Sequence, residues 1–401
     1  MAAPHRDPWA GIRDPAGIRD PIASRLPPPA SRVAIVHDWL TGMRGGEKVL
    51  EAICELYPDA TLYTLVHVHG SVSPRIERHR IRRSPVQWLP RAGERYRNYL
   101  LLFPTVVELF DLDRYDLVIS SSHCAVKSVI RHPAATHVCY CHSPMRYAWD
   151  QFGAYFGPEQ IGATRSRMLR PVLARLARWD AATARRVDRF LANSQYVAGR
   201  IRRYYNRGST VVYPPVDTTF YRLPDPARRP IEPSFLVVSA LVPYKRVDLA
   251  IAASRKAEVP LRIVGRGPEE ARLRQLAGSN VEFLGWRTDE EVRDLYGQST
   301  AVVLPGVEDF GMVPVEAQAC GTPVIALGQG GARESVEDGV TGVLVEENSV
   351  EGFAAALTRA RSATFDPVVI RGRAERFSRE RFLEDFQTAV NDAIAERGLT
   401  R

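Results

Sequence analysis

Cysteine is scarce in this chain: five residues in 401, at Cys54, Cys124, Cys139, Cys141 and Cys320, an odd number scattered through apolar stretches. That excludes a disulfide framework and points to a reducing compartment. Cys139 and Cys141 lie one residue apart on a strand-like run and so share a face, with no second Cys or His pair at zinc-binding spacing after them. They read as core packing rather than as ligands. Also missing is any apolar run near the roughly 18 residues that span a bilayer, as is a basic start followed by an apolar core. The expectation is a protein of the cytoplasm. The longest apolar stretch, Tyr99 to Phe110, contains Pro104 and Glu108 and is assigned to core or loop packing rather than insertion.

What the chain does have is enough material for two buried cores. Hydrophobic residues make up 45% and charged residues 25% of it, an ordinary globular balance that excludes wholesale disorder. Its 401 residues exceed the roughly 250 to 300 at which one core stops growing, so two domains with a cleft between them are expected. The formal net charge of +8 suits nucleic acid, an anionic membrane surface or a phosphorylated substrate equally well. The basic residues concentrate in Arg75 to Arg83 and Arg165 to Arg189, the second stretch interleaved with Leu, Ala and Trp at helical spacing. That pattern fits a solvated helix face or a peripheral contact with a membrane surface. No aromatic-rich basic recognition motif accompanies it, so nucleic acid is not an expected partner.

Residues 1–30 repeat Ala-Gly-Ile-Arg-Asp-Pro at Ala10 to Pro15 and Ala16 to Pro21; two copies with so little apolar material predict a disordered tail. From Arg32 to His37 a β-branched strand leads through Gly42, Gly45 and Gly46 into a helix at Glu47. Further apolar runs follow at Leu117 to Ser120, His137 to Tyr140, Phe190 to Ala192 and Thr210 to Tyr213. A second series comprises Phe235 to Ser239, Leu261 to Gly265, Val281 to Gly285, Ala301 to Leu304, Pro323 to Ala326 and Gly342 to Val345. The runs are continuous rather than alternating, as in strands covered on both faces, which predicts parallel α/β sheets. The organisation read from this is a first domain over 31–215, a proline-rich connector over 216–233, a second domain over 234–377, and a C-terminal helix and tail over 378–401. That helix spaces Phe382, Phe386, Val390 and Ile394 by four, so one face should dock on a domain.

The segment Pro305 to Val324 has the grammar of loop, helix and strand. Pro314 is placed at the first helical position and Gly321 at the helix exit. Glu308 then falls in the loop and Glu316 in the first helical turn, with the free amides around Gly311, Met312 and Val313 at an end that attracts anions. Two glutamates eight residues apart also occur by chance, as a surface residue and a cap. Lys245 follows a strand, His142 ends one, and Gly265 and Gly267 serve equally as turn glycines.

Taken in order, these pieces look like glycosyltransferase family 4. Glu308 and Glu316, with Phe310-Gly311 between them and Gly321-Thr-Pro-Val after, resemble its donor-site signature. Leu261 to Gly267 resembles its glycine turn, Val281 to Gly285 the strand end where a nucleobase docks, and Gly330-Gly331-Ala-Arg-Glu334 the loop after the donor helix. The resemblance spans about residues 32–390. It implies the GT-B fold, two Rossmann-like doubly wound parallel-sheet domains facing across a cleft, and retaining transfer of a sugar from a nucleotide diphosphate with neither cofactor nor essential metal. On it, Lys245, Glu308 and His142 are the expected catalytic residues. Donor binding is expected of Gly45, Gly46, Lys245, Arg246, Arg266, Phe283, Glu308, Phe310, Gly311, Met312, Val313 and Glu316, and Arg146 and Asn193 are expected on the acceptor side. One departure stands out: Ala240 occupies a position where the family commonly carries arginine, leaving Arg246 or Arg266 as substitutes. His37-Asp-Trp-Leu, Cys141-His-Ser-Pro-Met-Arg-Tyr and Val242-Pro-Tyr-Lys-Arg-Val-Asp look most like bacterial mannosyltransferase-type members of surface polysaccharide assembly. Those imply GDP-mannose as donor and a glycan or lipid-linked acceptor. An epimerase or phosphorylase of the same fold, or a non-catalytic nucleotide-sugar sensor, would share the cleft.

Overall fold

The computed structural model describes residues 32–225 and 234–399; the expected tail over 1–30 and the second part of the proline-rich connector, 226–233, lie outside them. Two parallel sheets organise the chain. The first holds seven strands, β1 (Val33–Leu40), β2 (Thr61–His67), β3 (Arg80–Arg83), β4 (Leu117–Ser122), β5 (Thr136–Cys141), β6 (Arg189–Ala192) and β7 (Thr210–Val211), in the order β3-β2-β1-β4-β5-β6-β7. The second holds six, β8 (Phe235–Val238), β9 (Leu261–Val264), β10 (Val281–Gly285), β11 (Ala301–Leu304), β12 (Val324–Leu327) and β13 (Gly342–Val345), in the order β10-β9-β8-β11-β12-β13. In each sheet the order reverses beside the first strand, the switch point at which open α/β sheets place their ligands.

The strands read as continuous apolar runs because both of their faces are covered. Along β1, Ala34 and Val36 join one core cluster while Ile35 joins the opposite one. Along β8, Leu236 and Val237 divide in the same way. Strands β2 and β3 escaped the sequence reading. Strand β3 is Arg-Ile-Arg-Arg, mostly exposed at the sheet edge, and charge of this kind blunts an edge against foreign pairing. Much of the first basic cluster is therefore edge strand. The second forms the helix Ala163–Thr183, which runs through Pro171.

The C-terminal helix Arg379–Leu399 returns to the first sheet, where Phe382, Phe386, Val390 and Ala393 pack with Ile35, Leu62, Ile119 and Tyr140. The chain thus crosses between lobes twice, and the crossings touch: Val216 N donates to Phe377 O at 3.0 Å.

Candidate active site

The second lobe presents its charges from three loops. After β8 a short turn, Pro243–Lys245, carries Lys245, and Arg246 follows in a left-handed conformation at φ 52°. The exit of β11 passes directly over this turn: a Cβ at Gly306 would lie 2.6 Å from Tyr244 O and 2.9 Å from Lys245 Cα. Only glycine allows that approach, and it brings Glu308 Oε1 into contact with Lys245 Nζ. Burial works against the Lys245 ammonium, but Glu308 and then Tyr244 outweigh it and hold the pKa above its usual value. The helix Met312–Ala319 begins just beyond, at Gly311 (φ 86°), with no side chain capping it.

Two details of that helix differ from the sequence reading. It starts at Met312, so Pro314 occupies the third helical position rather than the first, and Glu316 falls beyond the first turn. Position three still lacks an intrahelical partner for its N–H, so proline remains tolerated. Glu316 is buried and engaged. Its Oε2 accepts from Tyr296 Oη at 3.1 Å, and its Oε1 accepts from Lys48 Nζ at 3.3 Å. Lys48 belongs to the first lobe, on the helix Gly45–Leu56, and also lies 3.3 Å from Asp289. Burial disfavours its charge, but Glu316 and then Asp289 raise its pKa.

Two rings expected at the donor point inward. Phe310 is 2% exposed and packs between Tyr213 and Phe377, with centroids at 5.6 and 5.3 Å. Phe283 packs on a core cluster under the Arg274 guanidinium, 4.5 Å from the ring centre. The Phe310 ring anchors its loop, leaving backbone rather than ring to meet a ligand, while Phe283, within β10, is partly buried. Arg246 pairs with Asp248 at 3.3 Å, while Arg266 is exposed and lies beside Gly285 at the end of β10.

The first lobe answers with Gly45 and Gly46. A Cβ at Gly45 would come 3.2 Å from Met312 Sδ, and one at Gly46 would come 3.8 Å from His142 Cε1. These glycines, His142 and the donor helix therefore meet across one cleft. His142 Nε2 lies 2.8 Å from Ser121 Oγ, and its carbonyl accepts from Asn193 Nδ2 at 2.9 Å. Burial, followed by the neighbouring His123 and His37, pushes the His142 pKa well down. Arg146 reaches over the cleft to Asp309, Nε to Oδ2 at 2.9 Å.

Sequence reasoning missed several groups here. Asp309 holds Arg146, and its carbonyl takes the Ser194 hydroxyl at 2.6 Å. Glu334 caps a first-lobe helix from the second lobe, accepting from the amides of Gln195 and Tyr196 at 2.8 and 3.0 Å. Asp38 accepts four consecutive amides, His123 to Val126, at 2.7 to 3.1 Å. His37, His123 and Glu47 complete the first-lobe wall. Asp309, beside Glu308, Glu334, within the quoted loop, and His37, Asp38 and Glu47, within the first-strand and glycine-loop segment, carried a sequence signal; His123 did not.

Among the described residues, His67, His69 and Glu77 form a group able to hold a metal, with ligand atoms within 4.8 Å of one another. His69 is almost wholly exposed, and Glu77 already serves the loop by accepting from Gly70 N at 2.8 Å.

Two doubly covered parallel sheets, facing each other over a lysine-glutamate pair and an uncapped helix start, define a protein of the GT-B fold. The chain belongs to glycosyltransferase family 4: residues 43–220 match the family described as Glycosyltransferase Family 4, and residues 225–365 match Glycosyl transferases group 1. Among curated relatives, the D-inositol 3-phosphate glycosyltransferase of Rhodococcus erythropolis is 36% identical over 198 residues, covering 42% of this chain and 45% of the relative. That of Acidothermus cellulolyticus is 32% identical over 217 residues, covering 47% and 48%. The matched regions thus span about half the length of these relatives. Among solved structures, HepE of Anabaena with UDP and glucose aligns at TM-score 0.66 and 21% identity over 89% of this chain and 99% of that one. Sucrose-phosphate synthase of Thermosynechococcus elongatus aligns at 0.63 and 20%, over 92% and 99%. At such identities these two speak for the fold alone.

Proposed function

We propose that the protein is a retaining hexosyltransferase that moves mannose from GDP-mannose to a glycan or lipid-linked acceptor in bacterial surface polysaccharide assembly. The observation that carries this reading is the Lys245–Glu308 contact set against the uncapped helix start at Gly311, with Gly45 and Gly46 opposite. A diphosphate lying there would take charge-assisted hydrogen bonds from Lys245 and from the Met312 and Val313 amides. Lys245 would leave its glutamate to do so, freeing Glu308 for the hydroxyls of the donor sugar.

In the transfer, the bond between the anomeric carbon and the phosphate oxygen breaks while the acceptor oxygen bonds on the same face. The acceptor proton passes to the departing phosphate. Fixed positive groups stabilise the charge gathering on that phosphate without reorganising. Glu308 orients the sugar and does not attack. Arg146–Asp309 and Glu334 with the helix Gln195–Tyr205 hold the lobes together around the reactants, aligning the hydroxyl and excluding water.

Among the described residues no helix is long and apolar enough to cross a membrane. The helix Ala163–Thr183 carries five arginines and an exposed Met168, which favours contact with an anionic membrane surface at the inner face of the plasma membrane.

The test is thermal-shift screening against GDP-, UDP- and ADP-sugars, since a ligand present at 100 times its Kd stabilises the folded state by about 2.7 kcal/mol. GDP-mannose should give the largest shift, followed by labelled transfer. A shift with UDP-glucose alone would replace the donor, and no shift with any would overturn the reading.

A further inference from the structure

Behind His142 the ends of three strands and one helix line up groups that the reaction described above leaves unused. Ser121 Oγ at the end of β4 lies 2.8 Å from His142 Nε2 and 3.1 Å from His37 Nδ1 on β1. The other nitrogen of His37, Nε2, is fully buried, has no hydrogen-bond partner, and faces Glu47 Oε1 at 3.8 Å. Glu47 is itself 3% exposed. Its Oε2 is taken by the Arg44 amide at 3.1 Å, so Oε1 remains for His37.

These contacts admit a proton count. A carboxylate facing Nε2 of His37 favours a hydrogen on that nitrogen, because a lone pair there would oppose the negative charge. Neutral imidazole carries one N–H, so His37 Nδ1 is then an acceptor. A serine hydroxyl has one hydrogen, and donating it to His37 leaves the oxygen to accept from His142 Nε2–H. His142 Nδ1 is then bare. Among the described residues nothing hydrogen-bonds that nitrogen.

We infer that Glu47, acting through His37 and Ser121, fixes His142 in the Nε2–H tautomer, so that Nδ1 offers its lone pair to a hydroxyl of the acceptor other than the one whose proton goes to the phosphate. Glu47, His37 and Ser121 are positioning residues, and the inference rests on His142 facing the transfer site. The electrostatics agree with it. Burial raises the Glu47 pKa, but its contact with His37 outweighs it and the pKa ends below the usual value. Burial, the largest influence on His142, pushes its pKa well down and leaves its lone pair available. The remaining titratable groups at the cluster are His123, whose own pKa burial lowers and whose centroid lies 5.9 Å from that of His142, and Asp38, whose oxygens are held by four amides.

The test is a nitrogen-proton correlation spectrum of the whole, unliganded protein labelled at histidine nitrogen. In the wild type, His142 should carry its proton on Nε2, and so should His37. In Glu47→Gln the carboxamide can keep the Arg44 contact while donating to His37 Nε2. The chain then reverses and the His142 proton moves to Nδ1. Under the transferase reading kcat should fall about 10- to 100-fold, with the donor KM unchanged. A wild-type His142 protonated on Nδ1, or an unmoved proton in a folded Glu47→Gln, overturns the inference. If Glu47→Gln does not fold, the wild-type spectrum decides alone, with Ser121→Ala expected to give a mixture of tautomers. The spectrum needs no substrate: a reversed tautomer in a protein inert toward every donor would sink the transferase reading and leave the relay standing.

Discussion

The two walls of the cleft handle polarity in different ways. All nine histidines of the chain lie at or before His142, and the second lobe has none. The first wall is therefore built from imidazole rings on hydroxyls and backbone, with the acids Asp38 and Glu47 set behind them. The second wall is built from opposite full charges in contact, Lys245 with Glu308, and Glu316 with Lys48 reaching over from the first. A surface made of ion pairs can exchange one partner for a diphosphate. A surface made of imidazoles can hold a hydroxyl without competing for that anion. The contrast suits a donor on one side and an acceptor on the other.

The sharpest way to break the contrast is to remove a charge from the second wall. Lys245→Ala should lower kcat by about 100- to 1,000-fold, the usual effect of deleting one preorganised donor to developing negative charge. The protein should still fold, with a melting temperature lowered by the loss of the partner of Glu308, whose side chain is 12% exposed. Steady-state kinetics and a melting curve together check this.

Glu316→Ala should cost stability as well as turnover. It leaves the buried Tyr296 hydroxyl without its acceptor and Lys48 with Asp289 as its remaining carboxylate, a penalty of about 1 to 3 kcal/mol. Chemical denaturation measures it. If turnover falls and stability does not, Glu316 serves the ligand alone and the bridge to Lys48 carries no weight.

The first lobe, away from the cleft, should be the acid-sensitive one. His137 donates from Nδ1 to Arg186 O and meets Ser120 Oγ through Nε2, and burial pushes its pKa from 6.5 down to about 4. The unfolded chain takes up a proton near pH 6.5 while the folded one resists until about 4. Stability is therefore whole above pH 6.5 and falls as pH drops toward 4, where the loss levels off. Hydrogen exchange should show the first lobe losing protection before the second in that window. His137→Asn, which keeps the donation to Arg186, should flatten the slope by about one proton.

The smallest effect should come from Arg266→Ala. This exposed cation near the end of β10 is worth about 1 kcal/mol at most toward a bound anion. A several-fold rise in donor KM, with kcat unchanged, would mark it as the replacement for the cation absent at Ala240.

The second lobe was far more legible than the first. All six of its strands match the sequence reading within about a residue, because β8 to β13 are short apolar runs flanked by turns, and Lys245, Glu308 and the donor helix lie in contiguous segments. In the first lobe, β3 was hidden by its arginines and β2 by its mixed polarity. In the wall formed by His37, Ser121, His123 and His142, the quoted segments held His37 and His142, whereas Ser121 and His123 come from a third strand, β4, and its exit and had no local pattern to announce them. Phe283 and Phe310 misled for another reason: the motif marks a place in the chain, whereas the direction of a ring is decided by the core available to it. Pro314 and Glu316 shifted because the helix begins two residues earlier than proline's preference suggests.

The central claim is that Lys245, Glu308 and the helix start at Gly311 hold a diphosphate between the lobes. Calorimetric titration of nucleoside diphosphate against nucleoside monophosphate, on wild type and on Lys245→Ala, tests it most directly. Wild type should bind the diphosphate more tightly by tenfold or more, about 1.4 kcal/mol, and Lys245→Ala should lose most of that preference. Equal binding of the two nucleotides by wild type, or an undiminished preference in Lys245→Ala, would contradict it.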